Sequence, residues 1–239
     1  EEDSFLKELF RELEQAVKRE EESITGSLVK EKDLVLLVMP QDIQAPKGRL
    51  ILPQVQTIRE LLDKKAVVIS ASIDNFIQSI EYMAQMPNLI ITDSQCFSYV
   101  YEQKPEGVPL TSFSVLFSKY KGDINYFVES TQVLKDFPEN GKILIAEACT
   151  HPPMEEDIGR IKIPKLIKSK IRKNIEIDFV RGGDFSPEGY QLVIHCGACM
   201  FNRRHVVNRV EYCKEKGIPM TNYGIVLAYL NGILENIVY

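Results

Sequence analysis

Apolar residues along this chain follow two alternating rhythms. In one, aliphatic side chains run together without a polar break, as in Leu34-Val35-Leu36-Leu37-Val38-Met39 and Ile143-Leu144-Ile145-Ala146, the pattern of a strand covered on both faces. In the other they recur every third or fourth position among charges, which marks a helix with one buried face. This reading makes residues 33–39, 66–70 and 89–92 strands, with helices over about 54–62 and 74–84 between them. Such a βαβαβ order predicts a parallel sheet with right-handed crossovers.

The alternation pauses at Lys104-Pro105-Glu106-Gly107-Val108-Pro109, whose Pro and Gly content reads as a linker. Beyond it, helices are expected over 112–120 and 124–137, strands over 142–146, 175–180 and 191–194, and a basic helix over 163–173. A helix over 201–216, a strand ending within Ile218-Pro219-Met220-Thr221-Asn222-Tyr223-Gly224 and a last helix to about residue 235 complete the pattern. Ahead of everything, Phe5, Leu6, Leu9, Phe10, Leu13 and Val17 predict an amphipathic helix that packs as a connector on the next domain. The expected fold class is therefore α/β, with two domains that each hold a mainly parallel β-sheet flanked by helices. The boundaries read as a linker helix over 1–28, a first domain over 29–106 and a second over 107–239.

Composition narrows the class. A chain of 239 residues with 44% apolar residues can fill two cores. A net charge of −5 and no long basic run leave nucleic acid without an electrostatic footing. No apolar stretch reaches the roughly 18 residues of a membrane span, and the acidic start Glu1-Glu2-Asp3-Ser4 is unlike a signal peptide. No membrane partner and a cytoplasmic location are expected. The missing initiator Met leads us to expect a longer parent protein.

Candidate chemistry gathers where strands end. The 191–194 strand runs into His195-Cys196-Gly197-Ala198-Cys199, and the 142–146 strand runs into Glu147-Ala148-Cys149-Thr150-His151. In an open parallel sheet ligands collect outside the carboxyl ends of the strands, where the next helix offers free N–H groups and partial positive charge. If both strands share one sheet, Cys149, Cys196 and Cys199 meet on one edge with His151 and His195. Five cysteines in a chain of this type fit reduced thiols and a metal site better than a disulfide framework. Three soft thiolates suit iron–sulfur or zinc chemistry, and a Cys-x-x-Cys alone does not choose between them. Glu147, Arg160 and Arg181 are candidates around that edge: Glu147 as a weak iron ligand, the two arginines as attractors of an anion. His195 is either a ligand or a residue that orients one. Cys96 and Cys213 read as small buried side chains, and His205 as an exposed helix residue. Lys47, Arg49 and Asp42 follow the first strand, but neither a G-x-x-x-x-G-K-[ST] nor a G-x-G-x-x-G occurs, so no nucleotide site is expected.

Cys149-x-His151, then 43 residues, then His195-Cys196-x-x-Cys199 resembles the cluster signature of the GTPase scaffold family of FeFe-hydrogenase maturation (HydF). Ala45-Pro46-Lys47-Gly48-Arg49-Leu50-Ile51-Leu52-Pro53-Gln54, Ile145-Ala146-Glu147-Ala148-Cys149-Thr150-His151, Asp157-Ile158-Gly159-Arg160 and Thr221-Asn222-Tyr223-Gly224 are similar to segments of the same family. The resemblance implies an N-terminal GTP-binding domain, absent from this chain, then a dimerisation domain over 29–106 and a 4Fe-4S domain over 107–239. It also implies Cys149, Cys196 and Cys199 as cluster ligands and a transient di-iron precursor as cargo. Its partners would be a second copy of the chain in a homodimer, the radical-SAM maturases of the pathway and apo FeFe-hydrogenase, which receives the precursor. The chain itself would be no enzyme. Pro152 stands where the family commonly has a second His, so the fourth iron ligand stays open.

Two other readings fit the same residues: a structural zinc domain with three Cys and one His, and an iron–sulfur enzyme that works at an open iron. Against the second, the three-cysteine loop of radical-SAM enzymes is absent, as is any Ser-His-Asp arrangement.

Overall fold

Unbroken apolar runs become the central strands. In the computed structural model, which describes residues 6–8, 23–40, 48–148, 157–172, 174–198 and 201–239, every side chain of β1 (Leu34–Val38) is buried. β1 pairs in parallel with β2 (Val67–Ala71) on one side and β3 (Leu89–Thr92) on the other, and β4 (Leu110–Ser112) extends the sheet beyond β3. The second sheet repeats the plan with β5 (Lys142–Glu147), β6 (Glu176–Arg181), β7 (Leu192–His195) and β8 (Met220–Asn222). The orders are β2-β1-β3-β4 and β6-β5-β7-β8, and every pairing is parallel. Helices α1 (Leu52–Asp63), α2 (Phe76–Glu81), α3 (Phe97–Gln103) and α4 (Phe113–Lys121) belong to the first plan. The second has α5 (Ile124–Ser130), α6 (Ile163–Lys170), α7 (Arg203–Glu215) and α8 (Tyr223–Leu230). Most of the helix expected over 5–22, and most of the Pro- and Gly-rich loop after β1, lie outside the described residues.

Lys104–Pro109, which its composition marks as a linker, does not divide the two sheets. β4 follows it and pairs with β3 through Ile90↔Leu110 and Thr92↔Ser112, so the segment is a crossover loop inside the first unit. Pro and Gly report a change of direction, and a parallel crossover needs one as much as a linker does. The three-residue strand β4 is too short to announce itself in a hydrophobic pattern.

Strand registers expose a doubling that the periodicity alone does not. Val35 pairs with Leu89 as Ile143 pairs with Leu192, and Ile91 with Thr111 as Ile194 with Thr221. Counted this way, Pro109-Leu110-Thr111-Ser112 and Pro219-Met220-Thr221-Asn222 are equivalent segments. Ser112 and Asn222 both cap the helix that follows, accepting from the amides of Val115 at 3.2 Å and Ile225 at 3.1 Å. The two capped helices, α4 and α8, meet at Gly224, where an added Cβ would lie 2.5 Å from Ser114 Oγ. One apolar cluster, with Leu36, Ile90, Phe97, Leu144, Val193 and Ile225, runs through both halves.

Edges are treated unequally. β4 and β8 are buried: the amide of Val238 donates to Leu110 O at 3.0 Å, and Met220 N donates to Ser130 Oγ at 3.0 Å. β2 and β6 stay partly open, with Val67 53% and Phe179 39% exposed, so among the described residues their outer edges are unpaired. Among the described residues no helix is long and apolar enough to cross a membrane.

Glu60 on α1 fastens the segment that leads into β1. Its carboxylate accepts from Ser23 Oγ at 2.8 Å, Thr25 Oγ1 at 2.6 Å and the amides of Ile24 and Thr25 at 2.5 and 2.8 Å. Burial opposes its charge, but these donors prevail and hold its pKa below the usual carboxylate value. A depressed acid contributes stability above its unfolded pKa and loses it as pH falls through the folded one, because the unfolded chain binds the proton first. Glu60→Ala should therefore cost about 2 kcal/mol at neutral pH, and the gap from wild type should close below about pH 4. Urea melts across pH check both, and a gap independent of pH would contradict the clasp.

Candidate metal centre

β5 and β7 are neighbours in register, with Ala146 opposite His195, so the chain leaves both strands side by side. Cys196 is the first residue past β7. Its amide donates to Ala146 O at 2.9 Å, and its sulfur receives the amides of Ala148 at 3.1 Å and Ala198 at 3.4 Å. Ala198 takes a φ of 45°, a left-handed turn that aims successive N–H groups inward. Two backbone donors thus converge on one sulfur. In sequence, Ala148 and Ala198 directly precede Cys149 and Cys199. Those two cysteines and His151 lie outside the described residues, so their expected convergence with Cys196 does too. Among the described residues no three His, Cys, Asp or Glu side chains form a metal-holding group.

His195 is 1% exposed, and both of its nitrogens are engaged. Arg209 Nη1 lies 2.9 Å from Nε2, and Cys196 O lies 2.6 Å from Nδ1. A guanidinium only donates, so Nε2 is the acceptor and Nδ1 carries the proton. Through these two contacts His195 ties the cysteine loop to Arg209. Arg209 also donates to Gly182 O and lies 4.6 Å from the centre of the Phe185 ring. Lys121, at the end of α4, donates to Ala198 O at 2.7 Å and Phe201 O at 2.8 Å. The first half thus grips the Cys-x-x-Cys loop of the second.

Glu147 closes β5, and its Oε2 accepts from Arg160 Nη2 and from Arg181 Nε, each at 2.9 Å. The expected weak iron ligand is thus an ion-paired carboxylate between two guanidiniums, a group with surplus positive charge. The shared carboxylate keeps Arg160 and Arg181 together at the sheet edge. Arg160 leaves a π-helical turn (Ile158–Lys162) that leads into α6, capped by Asp157, whose Oδ1 accepts from Arg160 N at 2.9 Å.

The pattern reading passes over Tyr223. Its hydroxyl is buried with no partner among the described residues, and burial, then Cys196, Glu147 and Asp157, push its pKa well above the ordinary phenol value. A Cβ on Gly159 would sit 2.0 Å from that hydroxyl, so Asp157-Ile158-Gly159-Arg160 and Thr221-Asn222-Tyr223-Gly224 meet in space. His205, expected to be exposed, instead has a buried Nε2 with no partner among the described residues and a ring 4.6 Å from that of Phe201. Helical spacing could not show this, because the cover comes from the loop that precedes α7. Cys96 is half-buried rather than buried and Cys213 fully buried. Burial lifts their thiols to about 11 and about 12, so neither is a ready thiolate.

Two four-stranded parallel sheets, each flanked by helices, define a two-unit α/β protein. Residues 24–122 match the hydrogen maturase F dimerization domain, and residues 125–239 match the hydrogen maturase F tetramerization domain. The chain belongs to the hydrogen maturase F family. A comparison with curated proteins gave no match.

An unmatched hydroxyl in a buried site is a cost without its ligand. Tyr223→Phe should leave the metal-free protein as stable as wild type or up to about 1 kcal/mol more stable, read by urea unfolding. A loss above about 1 kcal/mol would show that the hydroxyl is bonded in that state.

Proposed function

We propose that this chain is the cluster-bearing part of a scaffold for FeFe-hydrogenase maturation. It holds a 4Fe-4S cluster through Cys149, Cys196 and Cys199, takes up a di-iron precursor as cargo and delivers it to apo-hydrogenase. The observation that carries the reading is the pair of amides on the Cys196 sulfur, given by the residues next to the other two cysteines. Amide donors to a ligating sulfur suit iron–sulfur sites, whose electronics such bonds tune. A cluster held by three thiolates supplies one iron with a replaceable ligand. His195 and Lys121 fix the loop, while Arg160 and Arg181 offer positive charge to an anionic cargo at the same edge. His151 remains a candidate for the open iron. The radical-SAM maturases of the pathway would supply the cargo, in the cytoplasm, and the GTP-binding domain of the parent protein would act from outside this chain.

Cys149→Ala, Cys196→Ala and Cys199→Ala should each lower iron and acid-labile sulfide several-fold after anaerobic reconstitution, whereas His151→Ala and His195→Ala keep most of both. Zinc without sulfide in wild type would favour the structural zinc domain instead. Electron paramagnetic resonance of the reduced protein with added imidazole or cyanide reads the open iron, and an unchanged signal in wild type and both His variants would exclude it.

Self-association follows from the family, and the open β2 edge is the surface we assign to the dimer. Val67→Lys places a charge on that edge and should shift the protein from dimer toward monomer in light scattering at micromolar concentration. A wild-type monomer, or a variant that dimerises as wild type does, would refute the assignment.

A further inference from the structure

Between Arg160 and Arg172 the chain places six of its 29 bases and none of its 34 acids, in a protein whose net charge is −5. Most of this segment is α6 and the π-helical turn that enters it. Ile163 and Ile167 fix which way the helix faces, since both are fully buried. At about 3.6 residues per turn, Lys165 and Lys168 stand on the opposite face, with Lys162 one turn before and Arg172 one turn after. Lys165, Lys168 and Arg172 are exposed. Arg172 pairs with Glu139 at 3.0 Å, and Lys170 turns away to donate to Leu230 O at 2.5 Å. Lys165 and Lys168 have neither an ion pair nor a hydrogen bond among the described residues.

Helix physics does not ask for this arrangement. Lys168 and Lys170 suit the last turn of α6, where the helix dipole favours cations, but the first turn holds no acid and has Lys162 and Lys165 instead. Like charges at such spacings also repel. The cationic face is held against the helix's own preference.

We infer that this face is the docking surface for the protein that receives the cargo, apo-hydrogenase, which must present an acidic patch to it. The inference rests on the scaffold reading above. Arg160 joins the helix to the sheet edge, where it shares Glu147 with Arg181, so a protein seated along α6 lies against that edge. Other occupants fit worse. A second copy docked face to face by two-fold symmetry would set lysines against lysines. A lipid surface would find little to take in, because Ile163 and Ile167 are committed to the core. Beside Arg160, Ile161 is exposed, as is Phe179, whose ring centre lies 5.2 Å from the Arg160 guanidinium. These give a folded partner apolar ground to cover next to the charges. Attraction between rim charges acts mainly on the rate of arrival, which suits an encounter that ends once the cargo has moved.

The test mixes the 239-residue chain with apo FeFe-hydrogenase and follows association by biolayer interferometry. Lys165→Glu with Lys168→Glu should weaken binding about tenfold at low salt, chiefly through the on-rate. The difference from wild type should fade as salt is raised toward about 1 M, where charges are screened within about 3 Å. Lys165→Arg with Lys168→Arg should bind as wild type does. A control pair with the same change of charge, Lys30→Glu with Lys216→Glu, lies at exposed positions off this face and should keep wild-type affinity. The urea midpoint of the Lys165→Glu, Lys168→Glu protein should not fall, since the change relieves repulsion within α6. Wild-type affinity in that protein overturns the inference, as does an equal loss in the control pair, which would reduce the effect to net charge. A loss toward a radical-SAM maturase without one toward apo-hydrogenase also overturns it, because the face would then serve loading. Wild type that does not bind apo-hydrogenase at low salt would instead defeat the delivery reading, and the inference with it, before any variant is compared.

Discussion

The parallel register of β5 and β7 is the constraint on which the site depends. Because Ala146 lies opposite His195, two chain segments leave the sheet in the same direction and at the same level. Past the bond from Cys196 N to Ala146 O, the amides of Ala148 and Ala198 turn to a side chain instead of a strand partner. Cys196 sulfur takes up both donors, so the need to satisfy backbone groups at a strand end and the need to fix the sulfur are met by the same bonds. A one-residue slip in that register would send His195 to the opposite face and break the link to Arg209.

Charge around this edge is distributed by depth. Lys121 and Arg209 are buried and spend their donors on carbonyls and a ring nitrogen. They are fixed and hard to displace. Arg160 and Arg181 are part-exposed and share Glu147, an arrangement that keeps them aligned yet in reach of solvent. Inner cations are therefore committed to the loop, while the outer ones face solvent.

Much of the fold is legible in the sequence, because strands such as Leu34–Val38 and Lys142–Glu147 are covered on both faces and so carry unbroken apolar runs. What pattern reading misses is short or non-local. β4 has three residues, and the Lys104–Pro109 crossover has the composition of a linker. Cys196 is legible from its strand end. Arg209 is not: on α7 it looks like one more surface base, and only the fold brings it under His195. Lys121 is separated by 77 positions from the carbonyl it binds, and no local signal spans that distance. Gly159 and Gly224 stood out in the sequence as motif letters. Their reason is spatial, since one makes room for Tyr223 and the other lets α4 and α8 approach.

The last strand-like contact of the chain has a bearing on how the two halves can be handled. Val238 donates to Leu110, so a segment at the far end of the second half seals an edge that belongs to the first. Lys121 reaches back the other way. The family boundary near residue 123 is therefore a seam in descent and not in mechanics. Neither piece is an independent cassette, since excision of either one strips the other of a covering it did not encode.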